Sequence, residues 1–181
     1  MRTPLLVSCY LLICAPACAL AQTARTAANW ESHPAMVEIR AIYRKIARAE
    51  TAGRLRKLIR KLDDACDVPP YTATERTLYV DARGSVRSYH FSGGSEDSAV
   101  QRALYYDRQE RLRFVLVKAG AVNGTRIEHR IYLSKSGKRL REEQKLLAGP
   151  GYTFPSRHWW EHDLVRNPRQ AFNARPPCQG R

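Results

Sequence analysis

The run Leu78-Tyr79-Val80-Asp81-Ala82-Arg83-Gly84 comes back as Leu104-Tyr105-Tyr106-Asp107-Arg108-Gln109-Glu110, and a third time as Ile131-Tyr132-Leu133-Ser134-Lys135-Ser136-Gly137. The tyrosines at 79, 105 and 132 keep a nearly constant spacing. Each copy is an aromatic and branched run, a short polar turn and a second apolar run, the pattern of a β-hairpin. Asp at the head of a turn bonds forward to its own backbone, and Gly near the end accepts a positive φ. The second copy has Glu110 where the first has Gly84, so its turn must differ in detail or carry strain. In the third copy Leu140 arrives one position later than Val86 and Leu112, which implies a bulge or altered register. Asn123-Gly124 reads as a two-residue turn between further apolar runs. Three such units predict an antiparallel meander of about six strands across residues 77–142.

Alternation assigns faces. Ile127, His129, Ile131 and Leu133 point one way, and Glu128, Arg130 and Tyr132 the other. The strand with Leu112, Phe114, Val115, Leu116 and Val117 is apolar on both faces. That suits a central strand covered by a helix on one side and the C-terminal segment on the other.

Upstream of the hairpins, Ser32-His33-Pro34 is a helix start, followed by Ile39, Ile42, Tyr43 and Ile46 at helical spacing. Gly53 interrupts, and Leu55, Leu58, Ile59 and Leu62 resume helical spacing in a new phase. The preferred expectation is a kinked helix or two helices, with a strand from Leu55 as the alternative. Downstream, residues 149–181 are rich in Pro and aromatics and read as an irregular cover anchored by Trp159, Trp160 and Phe172. The fold class expected is α+β: an N-terminal helical region packed on the meander, with an irregular C-terminal cover.

The outer segments are an address and a lead. Arg2, the apolar run 4–14 and Ala19-Leu20-Ala21 make residues 1–21 a signal peptide cleaved near Ala21. Cys18 matches a lipidation site only in part. Residues 22–33 are then a flexible lead and 34–181 a single α+β domain. Periplasmic or secreted localisation follows, and no segment is long enough to span a membrane as a helix. Of five cysteines, Cys66 and Cys178 survive cleavage, and an oxidising compartment pairs two cysteines by default. Closing so long a loop removes about 4–5 kcal/mol of unfolded-state entropy in the chain-entropy model.

Charge narrows the partners. The chain has 31 Lys plus Arg against 17 Asp plus Glu, a formal net charge of +14. That favours anionic partners without choosing among them. The most basic part includes Arg40, Arg44, Lys45 and Arg48, then Arg54, Arg56, Lys57, Arg60 and Lys61. It reads as a cationic face for an acidic ligand or membrane surface, or as a solvated face. Export and the lack of interleaved aromatic residues disfavour nucleic acid. On the outer sheet face, Glu128, Arg130 and Tyr132 with Arg113 are further candidate contacts.

Catalytic signals are sparse. His158 and His162 stand four apart, as a metal pair on a helix would, but no third ligand is indicated and surface packing is the simpler reading. His129 sits on an apolar strand face, where a hydrogen-bonded core histidine is the ordinary case. Gly93-Gly94-Ser95-Glu96-Asp97-Ser98 could hold a cation or a basic partner, or simply connect a hairpin. Asn123-Gly124-Thr125 matches a glycosylation sequon that the turn already explains. No catalytic residue, metal site or cofactor is assigned.

Gly120-Ala121-Val122-Asn123-Gly124, Glu128-His129-Arg130-Ile131-Tyr132 and Gly149-Pro150-Gly151-Tyr152-Thr153-Phe154-Pro155 carry a resemblance. With these runs the chain resembles uncharacterised signal-peptide-bearing proteins of Gram-negative bacteria that pair a short N-terminal helix with tyrosine-rich hairpins. The resemblance implies a periplasmic domain and brings no site residues with it. The expected function is therefore a non-enzymatic envelope protein binding an anionic or protein partner. The alternatives are a small metal-dependent or hydrolytic enzyme, and an inhibitor of an acidic secreted hydrolase.

Overall fold

The computed structural model describes residues 30–61, 75–152 and 164–174. Trp30–Ser32, a single 3-10 turn, belongs to a separate N-terminal unit. The second unit, Pro34–Arg181, holds everything that follows. It comprises helix α1 (Pro34–Thr51), strands β1 (Arg56–Lys61), β2 (Glu75–Val80), β3 (Val86–Ser95), β4 (Ser98–Tyr106), β5 (Leu112–Ala121), β6 (Arg126–Leu133) and β7 (Arg139–Ala148), and the short helix α2 (Pro168–Asn173). The seven strands form one sheet in chain order, each antiparallel to the next. The meander therefore has seven strands, one more than the repeats suggested.

The additional strand is β1, which corrects the preferred reading of residues 55–62 as helix and bears out the alternative of a strand there. Gly53 sits at φ 63, and its N–H donates to Glu50 O at 3.0 Å while Arg54 N–H reaches Ala49 O at 2.9 Å. These bonds satisfy the last carbonyls of α1 and turn the chain out of the helix. The chain then pairs with β2, from Arg56 opposite Val80 to Lys61 opposite Glu75. Leu58 packs against the core while Ile59 stays 51% exposed. An edge strand needs only one good apolar contact, so the spacing of 55, 58 and 59 fitted a helix by coincidence.

The repeated turns share one geometry. Asp81 N–H donates to Ser85 O and Gly84 N–H to Asp81 O, both at 2.9 Å. The same pair of bonds recurs from Asp107 to Arg111, from Ala121 to Thr125 and from Ser134 to Lys138. Each is a three-residue hairpin loop ending in a left-handed residue. Asn123-Gly124 is thus part of such a loop rather than a two-residue turn. Each of the three repeat copies also carries one bulge, skipping Arg87, Arg113 or Leu140. The third copy keeps the common register: Arg139 takes the position of Val86 and Leu112, and Leu140 falls in the bulge, 42% exposed.

Both faces of the sheet are occupied. One carries the main apolar cluster, including Leu78, Leu104, Val115, Val117 and Ile131, closed by Leu164 and by Val165, Ala171 and Phe172. Arg76 Nη1 donates to Ala171 O and Ala174 O, both at 2.7 Å, and Arg60 Nη1 to Asn173 O at 2.8 Å. These cations satisfy the carbonyl end of α2, where positive charge is favoured. The other face carries the repeated tyrosines. Tyr43 of α1 stacks edge-on to Tyr105 at 5.0 Å and tilts against Phe114 at 4.9 Å, and Phe114 meets Tyr132 at 5.0 Å. Ile39 is fully buried and Ile46 nearly so, each worth about 1.5–3 kcal/mol of transfer free energy. β5 is buried from both sides over Leu112 to Val117, as its doubly apolar sequence requires.

Candidate functional site

The candidate contacts separate into buried and exposed groups. Arg113 is 1% exposed, in the bulge of β5. Its Nε donates to Leu133 O at 3.1 Å, and its Nη1 and Nη2 reach Glu38 Oε1 and Oε2 at 3.3 and 3.4 Å. Tyr132 is 2% exposed beneath Phe114. Neither offers a surface contact, because the bulge turns Arg113 inward and α1 covers the tyrosine face. Glu128 and Arg130 do lie together, with Arg130 Nε donating to Glu128 Oε1 at 2.7 Å. Nearby, Arg141 pairs with Glu143 at 2.8 Å and Arg139 with Glu142 at 3.0 Å. Charge on this edge of the sheet is largely neutralised.

The region from α1 into β1 is different. Arg40 is half-buried and engaged, but Arg44, Lys45 and Arg48 are exposed. Together with Arg54, Arg56, Lys57 and Lys61 they make no ion pair among the described residues. Among the described residues the two carboxylates of α1 nearest them are committed elsewhere: Glu38 to Arg113 and Lys135, Glu50 to Ser88 and His90. Arg113 and Lys135 hold the Glu38 carboxyl below its usual pKa despite some desolvation. Seven cations thus stand without an ion pair among the described residues, on α1, on the turn after it and on β1.

Beside Glu50, on the α1 side of the sheet, a hollow of about 380 Å³ crosses from β1 to β5. Strand pairing brings its lining together: Lys57 from β1, Tyr79 from β2, His90 and Ser92 from β3, Gln101 from β4 and Lys118 from β5. Among the described residues Lys57, Tyr79, Ser92, Gln101 and Lys118 have no side-chain hydrogen bond. Its carboxylate is Glu75, which accepts from Thr77 Oγ1 at 3.1 Å. Burial raises the Tyr79 pKa, and the carboxylates of Glu50 and Glu75 add to the rise. The hydroxyl therefore remains a donor. Apart from Tyr79 of the first repeat and Lys57 of the basic run, none of these residues belongs to a motif named above. They are scattered from 57 to 118, and only the register of five strands places them side by side.

Ser88, Glu50 and His90 form the nearest approach to a catalytic set. Ser88 is fully buried and its Oγ donates to Glu50 Oε1. His90 Nε2 lies 3.3 Å from the same oxygen, within ion-pairing distance but outside hydrogen-bond geometry. A hydrolytic triad needs the hydroxyl bonded to the imidazole, with the carboxylate behind it. Here the carboxylate lies between the two, anchoring the last turn of α1 to β3. His129 is 3% exposed and bonds Glu142 Oε1 at 2.7 Å, a core histidine with its partner. The 93–98 loop is a hairpin connection. Asp97 O accepts from Val122 N at 2.9 Å, and Asp97 Oδ2 from the Tyr152 hydroxyl at 2.5 Å, tying neighbouring turns together. No group of three metal-ligating side chains occurs among the described residues. Cys66, Cys178, His158 and His162 lie outside the described residues. No family model, curated protein or solved structure matches the chain. Among the described residues no helix is long and apolar enough to cross a membrane.

Proposed function

We propose that the chain is an exported, non-enzymatic protein of the periplasm or secreted space that binds an anionic partner through α1 and β1. The observation that carries the reading is the run of seven cations between Arg44 and Lys61 without an ion pair among the described residues. Around β5 to β7 several arginines are paired instead, as at Arg111, Arg130 and Arg141. Leaving seven together costs self-repulsion, which an anionic partner relieves. The export signal, the cleavage near Ala21 and the pairing of Cys66 with Cys178 belong to the same proposal. So does the likeness to signal-peptide-bearing proteins of Gram-negative bacteria.

The test is co-sedimentation of the mature, oxidised protein with Gram-negative envelope fractions over a salt series, beside an unrelated protein of matched charge. Binding above the control that survives about 0.15 M salt, where the screening length is roughly 8 Å, supports a shaped anionic site. Binding equal to the control and lost at the same salt rejects it.

A further inference from the structure

The hollow across β1 to β5 goes beyond the cationic surface of α1, and its occupant can be reasoned from its chemistry. From the unpartnered hydrogen-bonding side chains gathered in it, we propose that the hollow binds an acidic saccharide, one or two sugar rings bearing a carboxylate.

A volume of about 380 Å³ lies within the range of small-ligand sites and is too small for a folded partner. Lys57 and Lys118 stand on the outer strands of the lining and Glu75 is the one carboxylate in it among the described residues, so the balance favours an anion. Between the lysines, Gln101, Ser92 and the Tyr79 hydroxyl provide donors and acceptors with no partner among the described residues. The glutamine amide suits adjacent hydroxyls, one donated and one accepted. Tyr79, with His90 at 5.1 Å, adds an aromatic wall for the apolar face of a sugar ring.

The main rival is an acidic peptide, and the floor disfavours it. The hollow runs across the strands from β1 to β5, over the face of the sheet rather than along its edge. An extended peptide gains affinity at a sheet edge, where backbone N–H and C=O groups remain open. Over β2 to β5 those groups are already used in the ladders on both sides, so a peptide lying on this face would bury its own backbone unpaired. A saccharide carries only hydroxyls, ring C–H faces and carboxylate, all of which the side chains can meet. Lys57 is common to this hollow and to the cationic surface, but Gln101 and Lys118 belong to the hollow alone, so the two sites are separable by mutation.

The experiment is calorimetric titration of the mature protein with tri-galacturonate, with neutral cellotriose and a short glutamate oligomer as comparisons. Gln101→Ala and Lys118→Ala alter exposed side chains and leave the core untouched. Tyr79→Phe removes only the hydroxyl. Each is expected to weaken tri-galacturonate binding about tenfold, the loss of one polar contact. Reversing Arg44, Lys45 and Arg48 is expected to leave that binding within about twofold, since these residues do not line the hollow. Binding of tri-galacturonate alone, lost with the hollow variants, supports the proposal. Equal binding of the glutamate oligomer, no binding at all, or binding lost only with the helix variant overturns it. Either of the first two outcomes leaves the cationic-surface reading intact, so failure of one proposal is not failure of the other.

Discussion

Glu110 takes φ 57 at the loop position where Gly84 and Gly137 stand at φ 80 and 81. A side chain in that region costs about 1–2 kcal/mol. The carboxylate offsets this: Glu110 Oε1 accepts from Val86 N at 2.8 Å and from Arg169 Nη2 at 3.1 Å, bridging two hairpins and the first turn of α2. Glu110→Ala keeps the strain and loses the bonds, so it is expected to destabilise by about 2 kcal/mol. Glu110→Gly loses the same bonds but relieves the strain, so its unfolding free energy should exceed the alanine variant's by about 1 kcal/mol, seen as a higher midpoint in urea. Equal midpoints would contradict the strained turn. Asp107 tests the neighbouring network. Burial alone would raise its pKa, but the Arg111 guanidinium at 2.8 Å and the N–H groups of Arg111 and Gln109 hold it below the ordinary aspartate range. A depressed folded-state pKa contributes stability that is present above about pH 4 and is lost as pH falls through the folded value. Asp107→Asn should cost about 3 kcal/mol at neutral pH, because Arg113 loses a buried partner. It should also flatten the loss of stability as pH falls below about 4. An acid limb as steep as the wild type's would show that Asp107 does not supply it.

Elements were legible wherever local chemistry decided them. The threefold recurrence of tyrosine, polar turn and apolar run announced the hairpins, and Asp81 and Asp107 announced their turns by bonding two N–H groups each. The double apolar character of β5 placed it at the centre. β1 was hidden, because an edge strand exposes alternate residues regardless of pattern and Leu58 and Ile59 mimic a helical pair. The inward turn of Arg113 was hidden as well, since a bulge breaks the alternation from which faces are read. The hollow left no local signal, as its residues meet only through long-range pairing. Gly53 is the element-scale test of the β1 boundary. Nothing lies within 4 Å of where its Cβ would be, so Gly53→Ala costs only the left-handed conformation. An expected loss of about 1 kcal/mol in urea denaturation, with unchanged slope, marks a true helix end there. A neutral or stabilising effect would fit a helix continuing through the site.

At the scale of the whole molecule, a formal +14 is unevenly compensated. Acidic side chains pair with arginines around β5, β6 and β7, while Arg44, Lys45 and Arg48 of α1 and Arg56, Lys57 and Lys61 of β1 are exposed. Part of that openness protects the unpaired edge of β1, since charged residues discourage strand-to-strand association. The helix cations Arg44, Lys45 and Arg48 have no edge to guard. Two triple variants separate these roles. One carries Arg44→Glu, Lys45→Glu and Arg48→Glu, and the other makes the same change in charge at exposed hairpin turns through Arg83→Glu, Arg108→Glu and Lys138→Glu. The deciding measurement is the affinity of each variant for dextran sulfate at about 0.15 M salt, beside the wild type. A fall of about tenfold or more for the helix variant, with the turn variant within about twofold of wild type, is the expected result. Equal losses in both variants would mean that the anion responds to net charge alone, and would contradict a binding surface on α1 and β1.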